Sequence, residues 1–95
     1  MIKVEVKYIL KPDQRDAFLG AIIAQGIDRA SKNENGNICY DFEVPNEKDV
    51  LYLHELWANQ NALSSHAEQE HYKALAELKA KYVEETIIEK EEVKE

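Results

Sequence analysis

Residues 2–10 alternate between apolar and polar. Ile2, Val4, Val6, Tyr8 and Leu10 share one parity, and Lys3, Glu5 and Lys7 share the other. Successive side chains of a strand point to opposite faces, so the pattern predicts a β-strand with one face in a core. Lys11-Pro12-Asp13 ends it. The period then lengthens. Phe18, Leu19, Ile22, Ile23, Gly26, Ile27 and Ala30 recur at helical spacing and predict a helix over 13–32. Asp13 and Asp16 stand near the positive end of its dipole, and Arg29 and Lys32 near the negative end. Asn33-Glu34-Asn35-Gly36 supplies turn chemistry. Alternation returns over 37–44, with Ile38, Tyr40, Phe42 and Val44 against Cys39, Asp41 and Glu43. Residues 45–49 read as a loop, and 50–57 as a third strand, paired with the second in an antiparallel hairpin. Both parities of that third strand are apolar: Val50, Tyr52 and Leu56 on one, Leu51, Leu53 and Trp57 on the other. Such a strand needs cover on both faces.

Helical spacing resumes after Ala58. Asn59 is a capping residue, and Ala62, Leu63 and His66 lie on one face. A further stretch carries Tyr72, Leu75, Leu78 and Tyr82 as its apolar stripe, with a break or kink expected between 64 and 69. Thr86, Ile87 and Ile88 have strand propensity. They predict a last strand over 83–90 and a frayed tail over 91–95. The order is βαββαβ, the ferredoxin-like arrangement of the α+β class, with an antiparallel sheet in one domain over 1–95. Helices cover one sheet face. The doubly apolar third strand predicts that the other face meets the sheet of a second copy in a homodimer.

Composition narrows the partners. Twelve Lys and Arg against nineteen Asp and Glu leave a net charge of −7, which disfavours nucleic acid and anionic membranes. No apolar run approaches the roughly 18 residues of a membrane span. The single cysteine, Cys39, excludes an internal disulfide and a cysteine-based zinc cluster. A cytoplasmic location is expected. The three glycines are far apart, so no standard nucleotide-binding loop exists.

Three histidines, His54, His66 and His71, carry the side chain suited to proton transfer near neutral pH. On a continuous helix, the five-residue spacing of His66 and His71 places them about 140° apart, so they would not chelate one metal unless a kink brought them together. His66 shares a face with Ala62 and Leu63 and is expected to look toward the sheet. His54 shares parity with Val50, Tyr52 and Leu56, at the sheet-to-sheet face. Glu55 points with Leu51, Leu53 and Trp57, and a carboxylate on an apolar face needs a partner or a task. Tyr40, Tyr52, Trp57 and Tyr72 are enough to line a flat apolar pocket.

Glu55-Leu56-Trp57, Ala62-Leu63, His66 and His71-Tyr72 form the string ExW-x4-AL-x2-H-x4-HY. Upstream, Asn35-Gly36-Asn37-Ile38-Cys39-Tyr40 resembles an E-x-G-x-x-x-Y lead into the second strand. With the element order, these residues resemble the antibiotic biosynthesis monooxygenase superfamily of dimeric α+β barrels, and within it the small quinol monooxygenase-like members. The haem-degrading branch is less similar: it has a tryptophan where this chain has His66, and a haem-ligating histidine where it has Ala76. The resemblance implies a pocket between sheet and helices and oxygenation of a small aromatic hydroquinone, phenol or anthrone-type substrate by O₂, with no cofactor and no metal. His66 is then the candidate base, with His71 and Tyr72 as donors. Tyr40, Glu55, Trp57 and Leu63 are the candidate substrate-binding residues, with Glu55 also able to fix an imidazole tautomer. Two alternatives stay open: an isomerase of a small carbonyl metabolite, and a non-catalytic ligand-binding or stress-related barrel. Arg15 and Arg29, both on the first helix, count against a phosphorylated isomerase substrate.

Overall fold

The computed structural model describes residues 1–94. The elements in chain order are β1 (Ile2–Leu10), α1 (Arg15–Ala24), α2 (Ile27–Lys32), β2 (Asn37–Glu43), β3 (Val50–Trp57), α3 (Gln60–His66), α4 (Glu70–Tyr82) and β4 (Val83–Glu92). The strands form one antiparallel sheet in the order β2-β3-β1-β4, and the class is α+β. Helices pack on one face, where Val4, Val6, Tyr8, Leu51, Leu53 and Trp57 meet Phe18, Ile22, Ile27 and Leu75 in the core.

Four features depart from the sequence expectations. First, the predicted helix over 13–32 is two helices. Asp13 lies outside it with φ 63°, and its N–H donates to Asp49 Oδ1. Gly26, at φ 70°, ends α1 and opens α2. Ile22 and Ile27 are five residues apart, about 140° on a straight helix. The turn at Gly26 brings both into the core, where each is almost fully buried. Second, Ile38 is half exposed because β2 bulges between Asn37 and Cys39, which drops Ile38 out of the alternation. Third, Val44 lies outside β2 and is also exposed. Fourth, β4 pairs with β1 as far as Glu92, two residues past the expected limit of 90. Of the tail expected over 91–95, residue 95 lies outside the described residues.

The second sheet face is covered by no helix among the described residues. Its residues include Glu5, Lys7, Tyr52, His54, Leu56 and Ile87. His54 sits between two carboxylates there: Nδ1 meets Glu5, and Nε2 lies 2.6 Å from Glu43 Oε1. Among the described residues no helix is long and apolar enough to cross a membrane.

Candidate active site

The site begins with two short segments that would not meet on an unbroken helix. Asn59 Oδ1 accepts the N–H of Ala62 at 2.9 Å and starts α3. That helix ends at His66, the chain turns through 67–69, and extended Gln69 opens α4. The turn cancels the rotation between His66 and His71, whose ring centroids stand 5.8 Å apart. Both rings point at one oxygen of Glu34, in the turn between α2 and β2. His66 Nδ1 is 2.5 Å from Glu34 Oε2, and His71 Nε2 is 2.7 Å from the same atom.

The Glu34 carboxylate accepts a hydrogen bond, so His66 carries its proton on Nδ1 and leaves Nε2 as a lone pair. That second nitrogen has no hydrogen-bond partner among the described residues, and His66 lines a cavity of about 90 Å³. Trp57 and Tyr72 hold the ring, with centroids 4.7 and 5.2 Å away, and Tyr40 stands 5.7 Å away. Burial pushes the His66 imidazole below the usual histidine range, while the Glu34 carboxylate pulls the other way. His66 is therefore neutral at pH 7, with a lone pair able to accept a proton.

Glu55 faces the same cavity and is buried. Its Oε1 accepts the indole N–H of Trp57 at 2.9 Å. Burial pushes its carboxyl above the usual carboxylate range, and the Trp57 N–H offsets part of the rise. Of the roles open to Glu55, fixing the imidazole tautomer falls to Glu34 instead, because the Glu55 contact is with Trp57. Tyr8, Tyr40, Leu53, Tyr72, Ala76, Lys79 and Ile88 complete much of the lining. The hydroxyl of Tyr40 is buried with no hydrogen-bond partner among the described residues. Tyr72, Ala76 and Ile88 are solvent-exposed, so access runs between α4 and β4.

The candidate residues thus separate. Tyr40, Glu55, His66 and Tyr72 line the cavity. Trp57 is fully buried behind His66 and offers no face to a ligand. Leu63 packs into the core instead of the cavity. His71 touches Glu34 and reaches the cavity only through it. Two residues escaped the sequence reading. In the sequence Glu34 reads only as part of a turn, yet it holds the first position of the E-x-G-x-x-x-Y spacing that leads to Tyr40. Lys79 brings a cation to the cavity that neither arginine supplies. Cys39 lies elsewhere, its thiol 3.1 Å from Asp41 Oδ2 and its pKa pushed up to about 11, chiefly by burial. It is a poor nucleophile.

A profile of antibiotic biosynthesis monooxygenases matches residues 1–78. The chain belongs to the antibiotic biosynthesis monooxygenase family. A search of the curated proteins finds no match. Among solved structures, the chain is similar to an antibiotic biosynthesis monooxygenase at 21% identity over all of both chains, with a TM-score of 0.85. A Mycobacterium tuberculosis protein is 19% identical over 99% of this chain and 95% of its own, with a TM-score of 0.87. A conserved Bacteroides thetaiotaomicron protein is 26% identical over 97% and 96%, with a TM-score of 0.84. This antibiotic biosynthesis monooxygenase family member shares the fold with all three.

The two perturbed histidines give opposite pH effects on stability. His66 is depressed in the folded chain, so the unfolded chain takes up its proton first as pH falls below about 6.5. The stability His66 contributes is complete above pH 6.5 and is lost as pH falls through its lower folded value. His54 is raised, first by its Glu43 bond, with Glu5 adding to the rise and burial opposing it. Its contribution is complete below pH 6.5 and is lost as pH rises through the folded value. It is also the smaller contribution, because the ring is well exposed. Urea midpoints measured from pH 5 to 8 should therefore fall on the acid side, and His66→Asn should flatten that limb.

Proposed function

We propose that the chain is a cofactor-independent monooxygenase that inserts one oxygen atom of O₂ into a small phenolic, hydroquinone or anthrone-type ring. The observation that carries this reading is the pairing at His66: Nδ1 is tied to Glu34, Nε2 has no hydrogen-bond partner among the described residues, and the residue lines the cavity. His66 takes a proton from the substrate hydroxyl or ring carbon. The resulting anion passes one electron to O₂, and the radical pair closes to a ring hydroperoxide. Loss of water leaves a carbonyl on that carbon. For a hydroquinone the sum is one diol and one O₂ to one hydroxyquinone and one water, so the substrate supplies all the electrons. The Tyr40 and Tyr72 hydroxyls are the donors for the developing oxyanion. Lys79 favours an ionised phenol on approach.

Size sets a condition. An apolar cavity of about 150 Å³ takes benzene, and this one is about 90 Å³. A ring enters only when Tyr72 or Ile88 swings outward, and both are exposed enough to do so. The Lys79 cation equally favours a phosphorylated carbonyl substrate, which keeps the isomerase reading as the second one.

The same proposal includes a homodimer through the open sheet face and a cytoplasmic setting, where Cys39 stays a thiol. On that face Ile87 is exposed and Tyr52 and Leu56 are half-buried, an apolar row that supports the dimer. Sedimentation equilibrium should return twice the chain mass, and Tyr52→Glu should return the monomer. The test of function is O₂ uptake by metal-stripped protein on naphthalene diols, anthrones and catechols. Saturable uptake supports the oxygenase. Uptake at the buffer rate on every compound defeats it and leaves the isomerase and the binding barrel.

A further inference from the structure

The oxygenase reading uses Glu34 only to hold a proton on His66, but the same three residues make a convergent donor set. Two imidazole nitrogens and one carboxylate oxygen lie within 4.8 Å of one another, at His66 Nδ1, His71 Nε2 and Glu34. They come from three segments: the end of α3, the first turn of α4 and the turn before β2. We propose that Glu34, His66 and His71 bind a divalent cation of the zinc class, and that its binding turns His66 from a proton acceptor into a donor at the cavity.

The chemistry fits the donors. Neutral imidazole suits zinc and its first-row neighbours, and two histidines with one carboxylate recur as a zinc ligand set. The distances describe the metal-free form of such a site. Ligand atoms about 2.0–2.1 Å from a tetrahedral ion stand roughly 3.3–3.4 Å apart. The present contacts of 2.5 and 2.7 Å are hydrogen bonds to Glu34 Oε2. An ion would take the place of that oxygen, and the carboxylate would withdraw by about an ångström through its own torsions. Glu34 and His71 retain partial exposure, which gives the ion a path and leaves room for a water as fourth ligand. His54 lacks this property: its two ring nitrogens serve carboxylates on opposite sides, so no three donors face one point.

The consequence for His66 is a change of tautomer. A metal on Nδ1 needs the lone pair there, so the ring proton moves to Nε2, the nitrogen left to the cavity. No net proton is released from a neutral ring. A base becomes an N–H donor, and the oxygenase is silenced by the ion. That last step rests on the proposed function. The binding itself does not.

The test uses untagged full-length protein, stripped with a chelator and titrated with Zn²⁺ by calorimetry. One Zn²⁺ per chain is expected. Co²⁺ in its place should give the strong visible absorption of a four-coordinate ion. His71→Ala and Glu34→Gln should each weaken Zn²⁺ binding at least about tenfold, and His54→Ala should leave it unchanged. No binding by the folded parent, equal binding by both ligand variants, or loss of binding in His54→Ala overturns the site. Nitrogen-15 spectra of the parent cover the case of a variant that fails to fold. Zn²⁺ should shift His66 Nδ1 and His71 Nε2, move His66 Nε2 into the protonated range, and leave His54 in place. A His66 Nε2 that stays unprotonated at full occupancy overturns the silencing step. These readouts need no turnover, so a failure of the oxygenase reading is seen separately, as absent O₂ uptake in the stripped protein.

Discussion

Replacing His66 with alanine is expected to lower kcat/KM for O₂ uptake by about 10²–10⁴-fold, the range for loss of a positioned acid–base group. That is a loss of roughly 2.7–5.5 kcal/mol of transition-state stabilisation. The loss should fall on kcat, because proton removal is a demand of the transition state and the apolar walls bind substrate equally in both variants. Alanine also removes a ring packed 4.7 Å from Trp57, so a merely structural effect has to be separated. His66→Asn keeps most of the volume without the base, and it should be as inactive as His66→Ala with a smaller change in urea midpoint. The parent's kcat/KM should fall on the acid side with a pKa below 6.5, since burial depresses His66. Residual activity in the variant should lack that limb. Glu34→Gln should cost less than His66→Ala, because it perturbs the tautomer and leaves the ring. An alanine variant with parental kcat would remove His66 from the chemistry.

The five-residue spacing explains both what the sequence made legible and what it hid. Strand alternation marks the inward row of β1, because a period of two is unambiguous when one face is covered; β3 is apolar on both parities, and Glu55 falls in its inward row by sharing parity with Leu51, Leu53 and Trp57. Helical period did the same for Phe18 and Ile22. Ile22 and Ile27, and then His66 and His71, are each five apart, and a continuous helix would send each pair to different sides. The fold breaks the helix at Gly26 in one case and at 67–69 in the other. Gly26 falls in register with the apolar stripe, so the sequence pattern alone does not show the first break. The second break was anticipated, and it is what lets one carboxylate serve two imidazoles. Glu34 stayed hidden for a different reason. Its partners lie 32 and 37 residues away, and nothing local distinguishes it from any acidic residue in a polar turn. In β2, Tyr40 and Phe42 face inward as their parity says, and only Ile38, dropped out by a single-residue bulge, and Val44, past the strand end, depart from it.

Gly36→Ala is expected to cost about 3 kcal/mol or more of unfolding free energy, and to impair the site it borders. Two penalties act together. Gly36 has φ 90°, where a side chain strains the backbone by roughly 1–3 kcal/mol. A Cβ there would also stand 2.6 Å from the Cβ of Ala62 on α3, inside any real carbon–carbon contact. Overpacking of that kind adds roughly another 1–3 kcal/mol. The neighbours cannot yield cheaply. The Gly36 carbonyl accepts the Ala58 N–H at 2.8 Å, and the Asn37 N–H donates to the Glu34 carbonyl at 3.1 Å. A turn pushed off α3 therefore carries Glu34 away from His66. The variant should show a lower urea midpoint, weaker Zn²⁺ binding and a kcat reduced toward that of Glu34→Gln. The double variant Gly36→Ala with Ala62→Gly separates the two penalties. It removes the clash and keeps the strained φ, at a helix cost of about 1 kcal/mol for the new glycine. If the clash dominates, the double variant is more stable than the sum of the singles by about 1–3 kcal/mol. Strict additivity would instead assign the whole loss to the backbone, and α3 would then be free to move without taking Glu34 with it.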